Sequence, residues 1–285
     1  MPSVAENLEA WNERYVWTEQ GDEWSAEFGG TDAMWWFILY PRLHYFLPTG
    51  RILEIAPGCG RWTQFLKAHC SSLIGIDVSS KCVEHCRGRF SADTHVEFHV
   101  NDGRSLSIVS DNSVDFVFSF DSLVHAENDV VEGYLRQLSK KLRPGGSGFI
   151  HHSNLGAYPG RLSLLRYYDD LPSFVRRRIL SQERLEKVLS INFGGWRARS
   201  MTAALFRRYC NDAGLRCVGQ ELFSWYKGKC LIDAISVIAK ADADANKKAA
   251  CLENPEFIRS ALSTSRLSQL YCEARARDHA PGHKR

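Results

Sequence analysis

The sequence predicts an α/β fold: a Rossmann-like, doubly wound and mostly parallel sheet with a closing antiparallel strand. Three observations point there. Short apolar runs alternate with helical stretches from residue 51 to about 150, the pattern of repeated βαβ units. The first run breaks at Ala56-Pro57-Gly58-Cys59-Gly60 into a helix, and the second carries an acid, Asp77, near its C-terminal end. The run Val114 to Phe120 is apolar almost throughout, as suits a strand covered on both faces.

The elements follow in order. Arg51 to Ile55 is the first strand and Gly60 to His69 a helix. Leu73 to Val78 is a strand, with Ser79 and Ser80 as N-caps of a helix to about Phe90, because a hydroxyl there can accept from a free backbone N–H. His95 to Val100 is the third strand, ending at Asn101-Asp102-Gly103, and Val114 to Phe120 the fourth. Glu127 to Leu142 is a helix stopped by Arg143-Pro144-Gly145-Gly146, and Ser147 to His151 is the fifth strand. Thr202 to Ala213 is a helix ended by Gly214, and Arg216 to Phe223 with Leu231 to Ile238 forms the closing antiparallel pair. Around this core, residues 1–48 are an N-terminal cap rich in Trp and Tyr, and residues 155–200 are a lid inserted into the 49–240 domain. Residues 241–285 read as a helical or partly disordered tail, whose end from Asp278 has little to bury.

Composition narrows the classes. A chain of 285 residues with 44% hydrophobic and 24% charged residues is an ordinary soluble domain with decorations. Its formal net charge of +3 is too weak to argue for a nucleic-acid partner. No membrane span or secretory leader is expected. The nine cysteines include no C-x-x-C pair, which suggests reduced thiols and a cytoplasmic setting.

Asp77 follows Gly60 by close to the roughly 20-residue interval at which an acid grips a ribose bound over a glycine turn. The chain is therefore expected to bind a nucleoside-bearing cofactor. A dinucleotide would need glycine where Ala56 stands and again where Thr63 stands. Instead, Glu54-x-Ala56-x-Gly58-x-Gly60, Asp77, Asp102-Gly103 and Leu142-Arg143-Pro144-Gly145-Gly146 resemble class I S-adenosylmethionine-dependent methyltransferases over roughly residues 50 to 240. The resemblance implies S-adenosylmethionine as cofactor. It places the methionine part against the backbone of Ala56 to Gly60, with Glu54 anchoring the amino-acid end through its neighbours or a water. It places the ribose hydroxyls on Asp77, the adenine amino group on Asp102, and the ring beside Gly103. Phe120 and Trp17 complete the implied cofactor set.

A finer resemblance follows from Ser119-Phe120-Asp121-Ser122-Leu123-Val124-His125-Ala126-Glu127, Phe149-Ile150-His151-His152-Ser153-Asn154, Trp196-Arg197-Ala198-Arg199 and the N-terminal Tyr15-x-Trp17 pattern. These are similar to bacterial methyltransferases that act on hydroxyls of sugars or glycans. A hydroxyl is a poor nucleophile near neutral pH, so a general base is expected, and histidine suits the task. Candidates are His151 and His152 at the end of the fifth strand, ranked ahead of His125 beyond the fourth. Alternation along a strand lets one of the adjacent pair face the cleft. Asp121, Glu127 and Asp129 offer oxygen ligands to a divalent cation, but Glu127 and Asp129 equally suit the first turn of a helix; the sequence leaves the metal undecided. In the lid, Tyr158, Tyr167, Tyr168, Asp169, Asp170 and Arg176-Arg177-Arg178 would suit a polyhydroxylated acceptor. Expected partners are a small-molecule or glycan substrate and, as an open option, a second copy of the chain. Two other functions remain open: methyl transfer to a non-sugar small molecule at O, N or C, and cofactor binding without catalysis.

Overall fold

The apolar runs assemble into one sheet in a computed structural model that describes residues 3–175, 184, 196–225, 230–240 and 249–278. Its strands are β1 (Thr49–Ile55), β2 (Cys70–Asp77), β3 (Val96–Val100), β4 (Val114–Ser119), β5 (Leu142–Ser153), β6 (Leu215–Phe223), β7 (Asp233–Lys240) and β8 (Ala250–Glu253). They lie in the order β3-β2-β1-β4-β5-β7-β6-β8. Strand β7 is antiparallel to β5 and to β6, and the other pairings are parallel. The order reverses between β1 and β4, so a crevice opens beyond their carboxyl ends, where such sheets hold ligands.

Strict alternation along each strand splits the core into two layers. Leu53, Val117 and Ile150 face one side, where they pack against Val131, Leu135 and Leu138 of helix α6 (Asn128–Lys141) and Phe206 of helix α8 (Ala203–Asp212). Ile52, Phe116, Phe118 and Phe149 face the other side, against Trp35, Leu39 and Leu43 of the N-terminal cap. The cap comprises α1 (Val4–Glu9), α2 (Thr31–Met34) and α3 (Tyr40–Leu43), the latter two joined by the π-turn Trp35–Leu39. Of the cap's aromatic residues Phe28 and Trp35 are buried in this core and Tyr40 and Phe46 pack against it, while Trp24, Trp36, Phe37 and Tyr45 stay exposed. The remaining helices are α4 (Thr63–Leu66), α5 (Ser80–Arg89), α7 (Pro159–Asp170) and α9 (Phe257–Asp278). Ser79 caps α5, its Oγ accepting from the Cys82 N–H at 3.2 Å.

Three departures from the sequence reading bear on the site. Helix α4 begins only at Thr63, because Gly60, at φ +86°, still belongs to the turn. Strand β5 starts at Leu142 and runs on to Ser153, the segment 143–146 being taken up as an irregularity in its register with β4. Its last three residues pair with Ile235, Ala234 and Asp233 of β7, so His151 and His152 lie within the sheet rather than beyond a strand end. The tail supplies the edge strand β8, which was not foreseen, as well as the helix α9. Phe257 and Ala261 of α9 are buried, with the Phe257 ring 4.1 Å from that of Phe223. The run Arg176-Arg177-Arg178 lies outside the described residues. Among those described, no helix is long and apolar enough to cross a membrane.

Candidate cofactor and acceptor site

A cavity of about 580 Å³ opens over the carboxyl ends of β1, β2 and β4, a size that suits a ligand of cofactor dimensions. Its inner wall is the turn after β1. Ala56 and Gly58 line it, both in the left-handed region at φ +57°. Glycine normally takes such a position, and Ala56 holds it at some cost; its N–H is fixed to the Ile76 carbonyl at 2.7 Å. A Cβ on Gly58 would stand 3.1 Å from the Trp17 ring, so the turn and the cap approach closely there.

Asp77 closes the end of β2. Its Oδ2 accepts from the Gly58 N–H at 3.0 Å and its Oδ1 from the Ser79 N–H at 2.8 Å. The carboxylate thereby ties the turn to the start of α5 and keeps a further acceptor site on each oxygen. Burial raises its pKa, against the pull of these N–H groups. Beyond it, Val4, Val78, Asn101, Gly103 and Tyr134 line the wall. A Cβ on Gly103 would fall 2.6 Å from Val4 Cγ1, so α1 packs down on this end.

Three residues of the expected cofactor set lie off the wall. The exposed Asp102 carboxylate is committed to its own loop, accepting from the Arg104 and Ser105 N–H groups at 2.9 and 2.6 Å; these bonds hold it below the usual carboxylate range. Glu54 lies buried under the turn and accepts from Thr63 Oγ1 at 2.6 Å, leaving Oε1 without a partner. Burial pushes its pKa up to about 8, so the carboxyl is largely protonated at neutral pH. Gly60 serves packing, since a Cβ there would meet the Phe90 ring at 2.5 Å. Trp17 and Phe120 do line the cavity.

The histidines sort by strand geometry. His151 and His152 are both fully buried and off the wall, which corrects the ranking above. His151 points into the aromatic layer between Phe120 and Phe223. Its Nδ1 accepts from the Asp121 N–H at 3.1 Å and its Nε2 faces Asp233 Oδ1 at 3.2 Å. His152 points to the opposite face and stacks on Phe206 at 4.2 Å, with its nitrogens on the Ser153 carbonyl and Ser236 Oγ. Burial pushes its pKa down to about 3. Packing is the cause: β7 pairs with both residues, Phe120 and Phe223 cover the His151 ring, and Phe206 covers that of His152.

His125 alone of the three lines the cavity. It sits in the turn Leu123–His125 with its ring between Trp11 and Trp196, at 5.3 and 5.9 Å. Its Nδ1 donates to the Trp196 carbonyl at 2.7 Å. That bond places the proton on Nδ1 and leaves Nε2 as the acceptor. Burial first, then the Arg197 guanidinium, pushes its pKa down to about 4.

Below these rings runs a buried charge network of Arg197, already marked in the motif Trp196-Arg197-Ala198-Arg199, with Arg61 and Asp233, which the sequence had not marked. Arg61 Nη2 pairs with Asp121 Oδ2 at 2.9 Å, and Arg197 Nε with Asp233 Oδ1 at 2.9 Å. Burial resists ionisation of Asp121, but Arg61 and Arg197 override it and hold the carboxyl well below the usual range. The position of Arg61 directly after the glycine turn was the one signal available. The acids considered for a metal are engaged elsewhere: Asp121 with Arg61, Glu127 with the Ser200 N–H and hydroxyl, and Asp129 with Arg104. Among the described residues no group of three or more His, Cys, Asp or Glu side chains is placed to hold a metal.

The crevice thus lies at the carboxyl ends of the strands, where sheets of this topology hold ligands. Residues 52–146 match the family model described as a methyltransferase domain. A 105-residue stretch is 30% identical to phosphoethanolamine N-methyltransferase 1 of Triticum aestivum, covering 36% of this chain and 21% of that protein. The match thus spans about a fifth of the wheat protein's length. Two solved S-adenosylmethionine-dependent methyltransferases share the fold. That of Clostridium acetobutylicum has a TM-score of 0.52 at 13% identity, covering 74% of this chain and 92% of its own. That of Methanosarcina mazei has a TM-score of 0.51 at 19% identity, covering 71% and 98%. Residues 52–146 therefore match a methyltransferase domain, and S-adenosylmethionine is the cofactor that this match implies. The site fits that group: the free acceptor positions of Asp77 suit a ribose diol.

Proposed function

We propose that the protein transfers a methyl group from S-adenosylmethionine to a hydroxyl of a sugar or glycan, with His125 as general base. The observation that carries this reading is the His125 imidazole. Its tautomer is fixed by the Trp196 carbonyl, and Nε2 has no partner among the described residues. When bound, the cofactor supplies an electrophilic methyl on a sulfonium. The chain's own residues would do the rest. Asp77 and the Ala56–Gly58 turn hold the nucleoside, and His125 Nε2 takes the hydroxyl proton as the oxygen is methylated. Trp11, Trp24 and Trp196 present ring faces and edges to the C–H surface of a sugar and exclude water. His151 positions Asp121 through its backbone N–H, with Asp233 behind it.

A low histidine pKa keeps the base unprotonated at neutral pH, while limiting its strength. An amine acceptor is the competing reading, favoured by the name of the wheat relative; a neutral amine would need no base. A cytoplasmic setting belongs to the same proposal and is supported by the free thiols of buried Cys59, Cys82, Cys86, Cys210 and Cys217. The test is release of S-adenosylhomocysteine across sugars, nucleotide sugars and amines. Turnover confined to amines, or full turnover on a sugar by His125→Ala, would overturn it.

A further inference from the structure

Arg61 is 8% exposed and lines the cavity, yet its guanidinium is only half used. Nη2 pairs with Asp121, while Nη1 is buried with no partner among the described residues. The group lies over the Trp62 ring, 4.6 Å from its centroid, which fixes its plane. Trp62 Nε1 and Trp225 Nε1, on residues of the same wall, are likewise buried and unpartnered. A dry wall holding three unused donors is costly unless a ligand supplies acceptors. Arg61 and Trp62 stand immediately after the glycine turn, where a ribose on Asp77 directs the amino-acid arm of the cofactor.

We propose that Arg61 is the receptor for the α-carboxylate of the cofactor's methionine arm, with Asp121 accepting from its α-ammonium. The pair then reads a zwitterion: each side chain offers the charge that the facing group lacks. A guanidinium fork suits this because two of its edges can serve Asp121 and a ligand carboxylate together. Glu54, the acid expected to anchor this end, is buried beneath the turn and largely protonated. Asp121 takes that task, held at φ +62° by the His151–Asp233 pair beneath it.

The inference rests on the cofactor assignment and is tested by binding alone, without an acceptor. Calorimetry on the full chain compares S-adenosylhomocysteine with its decarboxylated analogue and with methylthioadenosine, which lacks the whole arm. Wild type should bind S-adenosylhomocysteine at least about 30-fold more tightly than the decarboxylated analogue, some 2 kcal/mol at 1.4 kcal/mol per decade. Arg61→Gln can still donate to Asp121 and should erase most of that difference while leaving methylthioadenosine affinity within about threefold. Arg61→Lys should restore part of it. Equal wild-type affinity for the carboxylated and decarboxylated ligands overturns the proposal without any variant. Equal loss for all three ligands in Arg61→Gln overturns it too, as a structural effect. Binding of none of them by wild type would overturn the cofactor assignment itself.

Discussion

Replacing Asp77 by Ala tests the cofactor site at its most determinate point. The carboxylate receives two backbone N–H groups, Gly58 at 3.0 Å and Ser79 at 2.8 Å, and all three groups sit at the crossing of β2, the turn and α5. Alanine strands both donors, at about 1–3 kcal/mol for each that stays dry. Part of this is recovered, because burial disfavours the ionised Asp77. We expect a net loss of about 2 kcal/mol in stability, equivalent to roughly 3–4 °C in Tm at this chain length. Cofactor affinity should fall further, by at least about tenfold or 1.4 kcal/mol, through loss of the ribose hydroxyl contacts. Denaturant unfolding gives the first number and calorimetry with S-adenosylhomocysteine, at a temperature where the variant is folded, gives the second. Asp77→Asn, which keeps one acceptor oxygen, should fall between wild type and Ala on both scales. A folded Ala variant with wild-type affinity would refute the ribose assignment, and one with wild-type stability would refute the role of Asp77 as a tie.

Three further outcomes are expected. His125→Ala should lower turnover by roughly 10²–10⁴ with cofactor binding retained, and the native rate should stay flat from pH 6 to 9 and fall only as pH drops toward about 4; a rate limb near pH 7 that vanishes in the variant would contradict this environment. Burial pushes the Glu54 pKa up to about 8 from its ordinary 4.5, so the fold takes up a proton and wild-type stability should decline as pH rises from 4.5 through 8; Glu54→Gln should flatten that decline in denaturant midpoints measured against pH. Ending the chain before Phe257 should destabilise it by several kcal/mol by stripping Phe223 and Trp225 of their cover, whereas ending it before Asp278 should leave Tm and cofactor binding unchanged in calorimetry.

The sequence by itself determined whatever depends on contiguous residues. Alternating apolar runs specify the strands β1 to β7 and their crossover helices, and a serine before α5 specifies its cap. The spacing of the glycine turn and Asp77 specifies the cofactor end, because a tight turn followed by one βαβ unit leaves little freedom. The tertiary structure decided which polar groups line the other end of the cavity. Where His151 points depends on its pairing with Ile235 of β7 and on the Phe120 and Phe223 rings beside it, partners distant in sequence. Asp102 had the expected position but turned to its own loop N–H groups, a local competition that residue spacing does not resolve. Edge strand β8 is four exposed residues, too short to carry an alternating pattern; it forms by pairing with the edge that β6 presents. The Arg61–Asp121 and Arg197–Asp233 pairs join four chain segments, and burial makes these charges meet one another because water is not available to them.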